Sequence, residues 1–149
     1  MTELDDCFGK GQLRKSIPEP EKAGASLKIA KSNLEDAKTH FGNKLYNWAL
    51  IASYASMFHS SRALLFKDGV KERSHFCLCV YVRERYRGIL EMKYLNELDV
   101  LRQQRHRIFY GDEDIVVKQV QETEADSSIK LAEGFLKAVG KLIEAGKRK

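Results

Sequence analysis

Apolar residues recur at intervals of three and four along most of this chain, a spacing that predicts helices. The first stripe runs Ala23, Leu27, Ala30, Leu34, Ala37 and Phe41, with Gly42 after it as an expected left-handed cap. The segment from about Lys44 to Lys67 is patterned differently. There Leu45, Trp48, Ile51, Ala52, Ala55, Phe58, Leu65 and Phe66 cover most directions around the axis, which predicts a helix at the centre of a bundle. Asp68-Gly69 breaks it, and Ser74 is placed to cap a third helix through Phe76, Val80 and Tyr86. A fourth helix is expected from about Ile89 to Ile108, ending near Gly111. A fifth carries Ala125, Ile129, Ala132, Leu136, Val139 and Ile143, and the acidic Asp112-Glu113-Asp114 cluster before it suits a helix start. Short connections favour antiparallel neighbours, so the expected fold is all-α: an up-and-down four-helix bundle core with an additional helix, about five helices in all, and essentially no sheet. Residues 1–20 hold Gly9, Gly11, Pro18 and Pro20 without a sustained period and read as a loose N-terminal arm. The bundle domain then occupies 21–146, with a basic tail at 147–149.

A chain of 149 residues is long enough for one domain with its own core. The net charge of +5 permits a phosphate-bearing partner without demanding one. Cysteines stand at 7, 77 and 79, and this odd number, with no leading apolar signal segment, predicts a reducing, cytoplasmic setting without a disulfide framework. Cys77 and Cys79, two apart on a helix, project about 200° from each other, so they read as packing residues rather than a chelating pair. The uncharged run Leu45 to Ser61 is too short to cross a bilayer comfortably and contains Asn47, Ser53, Ser56, His59 and Ser60, so no membrane association is expected. No two histidines have the helical i, i+4 spacing of a metal site, and neither metal nor cofactor is expected.

One position breaks the pattern. At about 100° per residue, Tyr94, Leu98, Leu101, Ile108 and Phe109 share one arc of the fourth helix, and Arg105 falls in its middle. Arg102 lies at the edge near Leu95. A guanidinium on an apolar face keeps its charge, so it must meet a carboxylate, an anionic ligand or water. Two readings stay open on pattern alone: an ion pair with an acid such as Glu97 or Asp112, within or between subunits, or a phosphate site matched to the planar fork.

Two stretches resemble the HEPN family. One is Trp48-Ala-Leu-Ile-Ala-Ser-Tyr54-Ala-Ser-Met-Phe58-His59-Ser-Ser-Arg62-Ala-Leu-Leu, with Asp68-Gly69-Val70 and Ser74-His75 beyond it, and it is similar to that family's long central helix and following loop. The other, Arg105-His106-Arg107-Ile108-Phe109-Tyr110-Gly111, is similar to its signature at the end of a later helix. The resemblance covers about Glu21 to Ile143. It implies a helical bundle, commonly a homodimer that brings two signatures together. It also implies frequent partnership with a small nucleotidyltransferase in toxin–antitoxin fashion, and often a metal-independent ribonuclease. The signature is an Arg, usually a polar follower, then a His four to six residues on. Arg105 and His106 match the first two, and Tyr110 stands in the place of the terminal His.

Metal-free RNA cleavage needs a base for the 2′-hydroxyl proton and a cation for the phosphate. A phenol with pKa near 10 is ionised at about one part in a thousand at neutral pH, so Tyr110 is a poor replacement for imidazole. His106 serves as base only if its ring turns toward Arg105, about 100° away around the helix. The candidate catalytic set is therefore Arg105, His106 and Tyr110, and restoring His at 110 is expected to raise cleavage. The candidate nucleotide-binding set is Arg105, Arg102, Tyr54 and His59, with Tyr54 placed toward the pocket by the resemblance alone. His59 is weighed as either a core residue or a reach into the site, His75 as a loop or capping residue, and His40 as a partner of a helix C-terminus. The leading expectation is a nucleotide- or RNA-binding protein working beside a nucleotidyltransferase; an endoribonuclease using Arg105 and His106, and a dimeric helical adaptor, are the alternatives.

Overall fold

A computed structural model of the chain describes residues 2–113 and 118–147. Among these the fold is all-α apart from one short strand pair: α1 (Glu3–Gly9), β1 (Leu13–Lys15), α2 (Pro20–Gly42), α3 (Tyr46–Asp68), β2 (Val70–Glu72), α4 (His75–Arg85), α5 (Met92–Tyr110) and α6 (Glu122–Lys147). The helical stripes are where the spacing puts them. Ala23, Ala30, Leu34 and Ala37 of α2 are buried, as are Ala125, Ile129, Ala132, Val139 and Ile143 of α6, where Phe135 joins them. α3 is the central helix and packs on α2, α6, α5 and α4. No helix among the described residues is long and apolar enough to cross a membrane.

Several local expectations are corrected. The N-terminal segment is not a loose arm. Thr2 closes a capping box with Asp5 that starts α1, and Leu13–Lys15 pairs antiparallel with Val70–Glu72 in the register Leu13↔Glu72, Arg14↔Lys71, Lys15↔Val70. That raises the count to six helices and adds a small sheet. Cys7 on α1 and Cys77 on α4 are joined by a disulfide, their Cα atoms 5.8 Å apart. Sequence alone does not show this pairing, because it depends on α1 lying across the start of α4. Cys79 remains free and buried, and enclosure together with Asp99 pushes its thiol up to about 12.

The left-handed residue after α2 is Lys44 at φ 60°, not Gly42, which is the last helical residue. α5 begins at Met92, after a turn through Gly88, rather than at Ile89. α6 begins with Glu122 and Glu124 in its first turn, so Asp112 and Glu113 lie well before it; Asp114 and the tail residues 148–149 fall outside the described residues.

Two junctions set the position of the start of α4. Gly69 ends α3 at φ 76°, and a Cβ there would stand 2.8 Å from the Ser16 carbonyl oxygen, so only glycine allows the chain to turn under this strap. Asp68 then accepts hydrogen bonds from Tyr81 (2.9 Å) and Tyr86 (2.7 Å), tying α4 to the end of α3. Burial, reinforced by this carboxylate, pushes both phenols upward, so they remain donors. The Ser74 side chain accepts from the Cys77 amide at 3.1 Å and caps α4 as expected.

Candidate functional site

α3, the first residue of α4 and the last turns of α5 border an open pocket of about 220 Å³ lined by Ile51, Tyr54, Ala55, Phe58, His59, His75 and Arg105. Residues 51, 54, 55, 58 and 59 follow helical spacing, so a single side of α3 supplies most of its wall. Arg105 borders it from α5, half-buried, with its guanidinium carbon 6.0 Å from the Tyr54 ring and 5.3 Å from the Phe109 ring. Among the described residues no carboxylate forms an ion pair with it; Glu97, one of the expected partners, is instead raised in pKa by burial and then by Glu124. Among the described residues the charge of Arg105 is thus held against aromatic faces rather than in an ion pair.

His75 lines the same pocket. Its ring lies flat on Phe58, centroids 4.3 Å apart at 18°, and its Nδ1 is 2.6 Å from the Tyr54 hydroxyl. This hydrogen bond runs either way with the tautomer, but in both cases it occupies Nδ1 and leaves Nε2 as the nitrogen open to a ligand. Burial, then Arg105, Arg102 and Arg62, hold the His75 pKa below its ordinary value, which keeps the ring neutral near pH 7. His59 is lowered too, by burial, then Arg62 and His75, and its enclosed Nδ1 has no hydrogen-bond partner among the described residues. Tyr54 moves the other way: burial, then Cys79, raises its phenol despite Arg105 and Arg102 nearby, so the hydroxyl stays protonated. Arg62 spans Phe58 and Phe66 and pairs with Glu72 at 2.8 Å.

The structure divides the residues that sequence pattern grouped. Arg105, Tyr54 and His59 meet at the pocket. His106 and Tyr110 are not among its lining residues: both are exposed on α5 and pack on each other with ring centroids 4.8 Å apart. This follows from the angle between positions 105 and 106 on one helix. Arg102 is committed elsewhere, holding Asp99 through Nε at 3.1 Å and Nη2 at 3.0 Å and lying over Phe76. The residue that sequence reasoning passed over is His75. As the first residue of a helix after a capping Ser it looked like part of the cap, and the only signal pointing further was its place in the stretch running on from Tyr54 and Phe58.

The HEPN domain model matches residues 23–142. A protein of Methanocaldococcus jannaschii named "Putative toxin MJ0605" is 39% identical over 66 residues, which are 44% of this chain and 48% of that protein. The chain therefore matches about half the length of this curated relative.

Proposed function

The chain belongs to the HEPN domain family, and from that premise we propose that it is a toxin-like component that binds RNA or a nucleotide through the Arg105 pocket. The observation that carries this is Arg105 itself: a permanent cation on the wall of a pocket, set against Tyr54 and Phe109, with no ion pair to a described carboxylate. Such a guanidinium keeps its planar fork for phosphate oxygens while the rings around it offer faces to a base. The name of the M. jannaschii relative supports the toxin-like reading, and the resemblance adds a small nucleotidyltransferase as partner. Self-association is part of the same proposal. Trp48, Phe109 and Tyr110 are 51%, 45% and 65% exposed beside the pocket, an aromatic group suited to a second copy of the chain.

The test is binding of single-stranded RNA and of ATP, followed by fluorescence anisotropy. Arg105→Ala is expected to weaken binding by about 1.5–3 kcal/mol, the worth of a hydrogen bond to a charged group, and to flatten the salt dependence. If Arg105→Ala leaves both ligands bound as before but splits a dimer in sedimentation, the residue is an interface cation and the adaptor reading replaces this one.

A further inference from the structure

We propose that the pocket cleaves RNA and that its general base is His75, delivered by the start of α4 rather than by the signature segment of α5. This rests on the reading that Arg105 holds the phosphate, and it assigns the proton-handling group that reading leaves open.

Three geometric facts carry it. His75 and Arg105 line the same pocket from different helices, so a phosphodiester bound there has both a cation and an imidazole among its walls. The imidazole is held in orientation by Phe58 flat against its face and Tyr54 on its Nδ1. Its position is fixed further back by the Ser74 cap and by Asp68, which ties α4 to α3 through Tyr81 and Tyr86. A base that must work without delay benefits from this restraint, because orientation lost on binding need not be regained in the transition state. His106 is exposed, as His75 is, but among the described residues it has only the Tyr110 ring packed on it and no hydrogen bond that orients it.

The reaction balances with RNA alone. In the tautomer where Nδ1–H donates to the Tyr54 oxygen, Nε2 takes the ribose 2′-hydroxyl proton. The 2′-oxygen attacks the neighbouring phosphorus, and Arg105 stabilises the charge gathering on the non-bridging oxygens. The P–O5′ bond breaks, O5′ takes a proton from water, and His75 returns its own proton to solvent. The products are a 2′,3′-cyclic phosphate and a 5′-hydroxyl. Tyr54 is a positioning residue in this scheme. The titratable and charged groups facing His75 are Tyr54, His59 and Arg62 from α3 and Arg102 and Arg105 from α5. The three cations among them, after burial, depress its pKa, so the neutral base persists to below pH 6.5.

The experiment uses the full chain and a labelled single-stranded RNA, reading cleavage, end-group chemistry and binding separately. Expected are cyclic-phosphate ends and a rate that climbs with pH to a plateau reached before neutrality. His75→Ala is expected to lower the rate by roughly 10²–10⁴-fold, the usual contribution of a general base, with binding kept within about threefold and partial rescue by added imidazole. His75→Gln, which preserves a planar polar group, repeats the test should the Ala variant melt early. Tyr54→Phe is expected to lower the rate and move the pH profile, and His106→Ala to leave the rate unchanged. RNA bound but uncut by the unaltered protein overturns the base assignment and leaves the Arg105 reading intact; RNA neither bound nor cut overturns both. Cleavage that survives His75→Ala and vanishes in His106→Ala returns the base to the signature. Binding and cleavage lost together in a folded His75→Gln protein make His75 a ligand contact instead.

Discussion

The two sides of α3 are built from different materials. Ala49, Ser53, Ser56, Ser60, Ala63 and Leu64 lie on one side and are fully buried in the bundle. Most are small, which lets neighbouring helices approach closely, and Ser53 returns its hydroxyl to the Ala49 carbonyl at 2.8 Å. On the other side Ile51, Tyr54, Phe58, His59 and Arg62 are large, aromatic or ionisable, and all but the buried Tyr54 keep part of their surface uncovered. One side maximises contact, whereas the other leaves a gap and lines it with aromatic and ionisable groups. The single helix thus sets a packed face and a pocket face back to back, and substitutions on its two sides should differ in kind.

The largest separation is expected from Leu64→Ala. It removes a fully buried side chain and should cost about 2–5 kcal/mol of unfolding free energy, seen as a lowered urea midpoint, while RNA affinity at a temperature where the protein is folded stays the same. A comparable loss from Phe58→Leu, on the pocket side, would erase the distinction.

A smaller effect is expected from pH. His59 and His75 have pKa values below the ordinary 6.5 in the folded chain, so the unfolded chain takes up protons first as pH falls. Their contribution to stability is whole above pH 6.5, declines as pH drops from there through the lowered folded values, and then levels off. Urea midpoints at pH 7.5 and 5.0 should draw together in His59→Gln relative to the unaltered protein. An unchanged difference would mean that the His59 ring is not held neutral by its surroundings.

The least effect is expected from Tyr110→His. Signature spacing alone predicts a gain in cleavage, but Tyr110 is 65% exposed, packs on His106 and is not among the residues lining the pocket, so RNA cleavage should stay within about twofold, well under the 10²-fold or more that a working general base contributes. A large gain would show that this side of α5 takes part in the site.

How much of this was legible depended on whether the information lay within one element or between two. The stripes of α2 and α6 and the central place of α3 are periodic along a helix, and Arg105 stood out as the charge interrupting such a period. The Tyr54–His75 bond spans 21 residues and two helices, and local rules gave His75 a sufficient role in the capping turn. The same holds for α1 and β1. Their periods are too short to register, and their place depends on partners at Cys77 and Val70–Glu72. His106 and Tyr110 were legible as signature positions, but a signature numbers residues along the chain and does not state which side of the helix each occupies.

The Cys7–Cys77 bond changes what kind of object the chain is. Seen as connectivity it is a ring with tails: a separation of 70 residues closed on itself, with α5 and α6 on the long tail. Closing a loop of this length removes roughly 4 kcal/mol worth of freedom from the unfolded chain. Tyr54, His59 and His75 all belong to the ring and Arg105 to the tail, so the pocket is the seam between them. A machine that pulled the chain apart from its N-terminus would meet the knot at residue 7 and have to draw two strands at once. A protease that nicked any loop between α2 and α3 would leave the ring opened but the molecule in one piece until a reductant arrived.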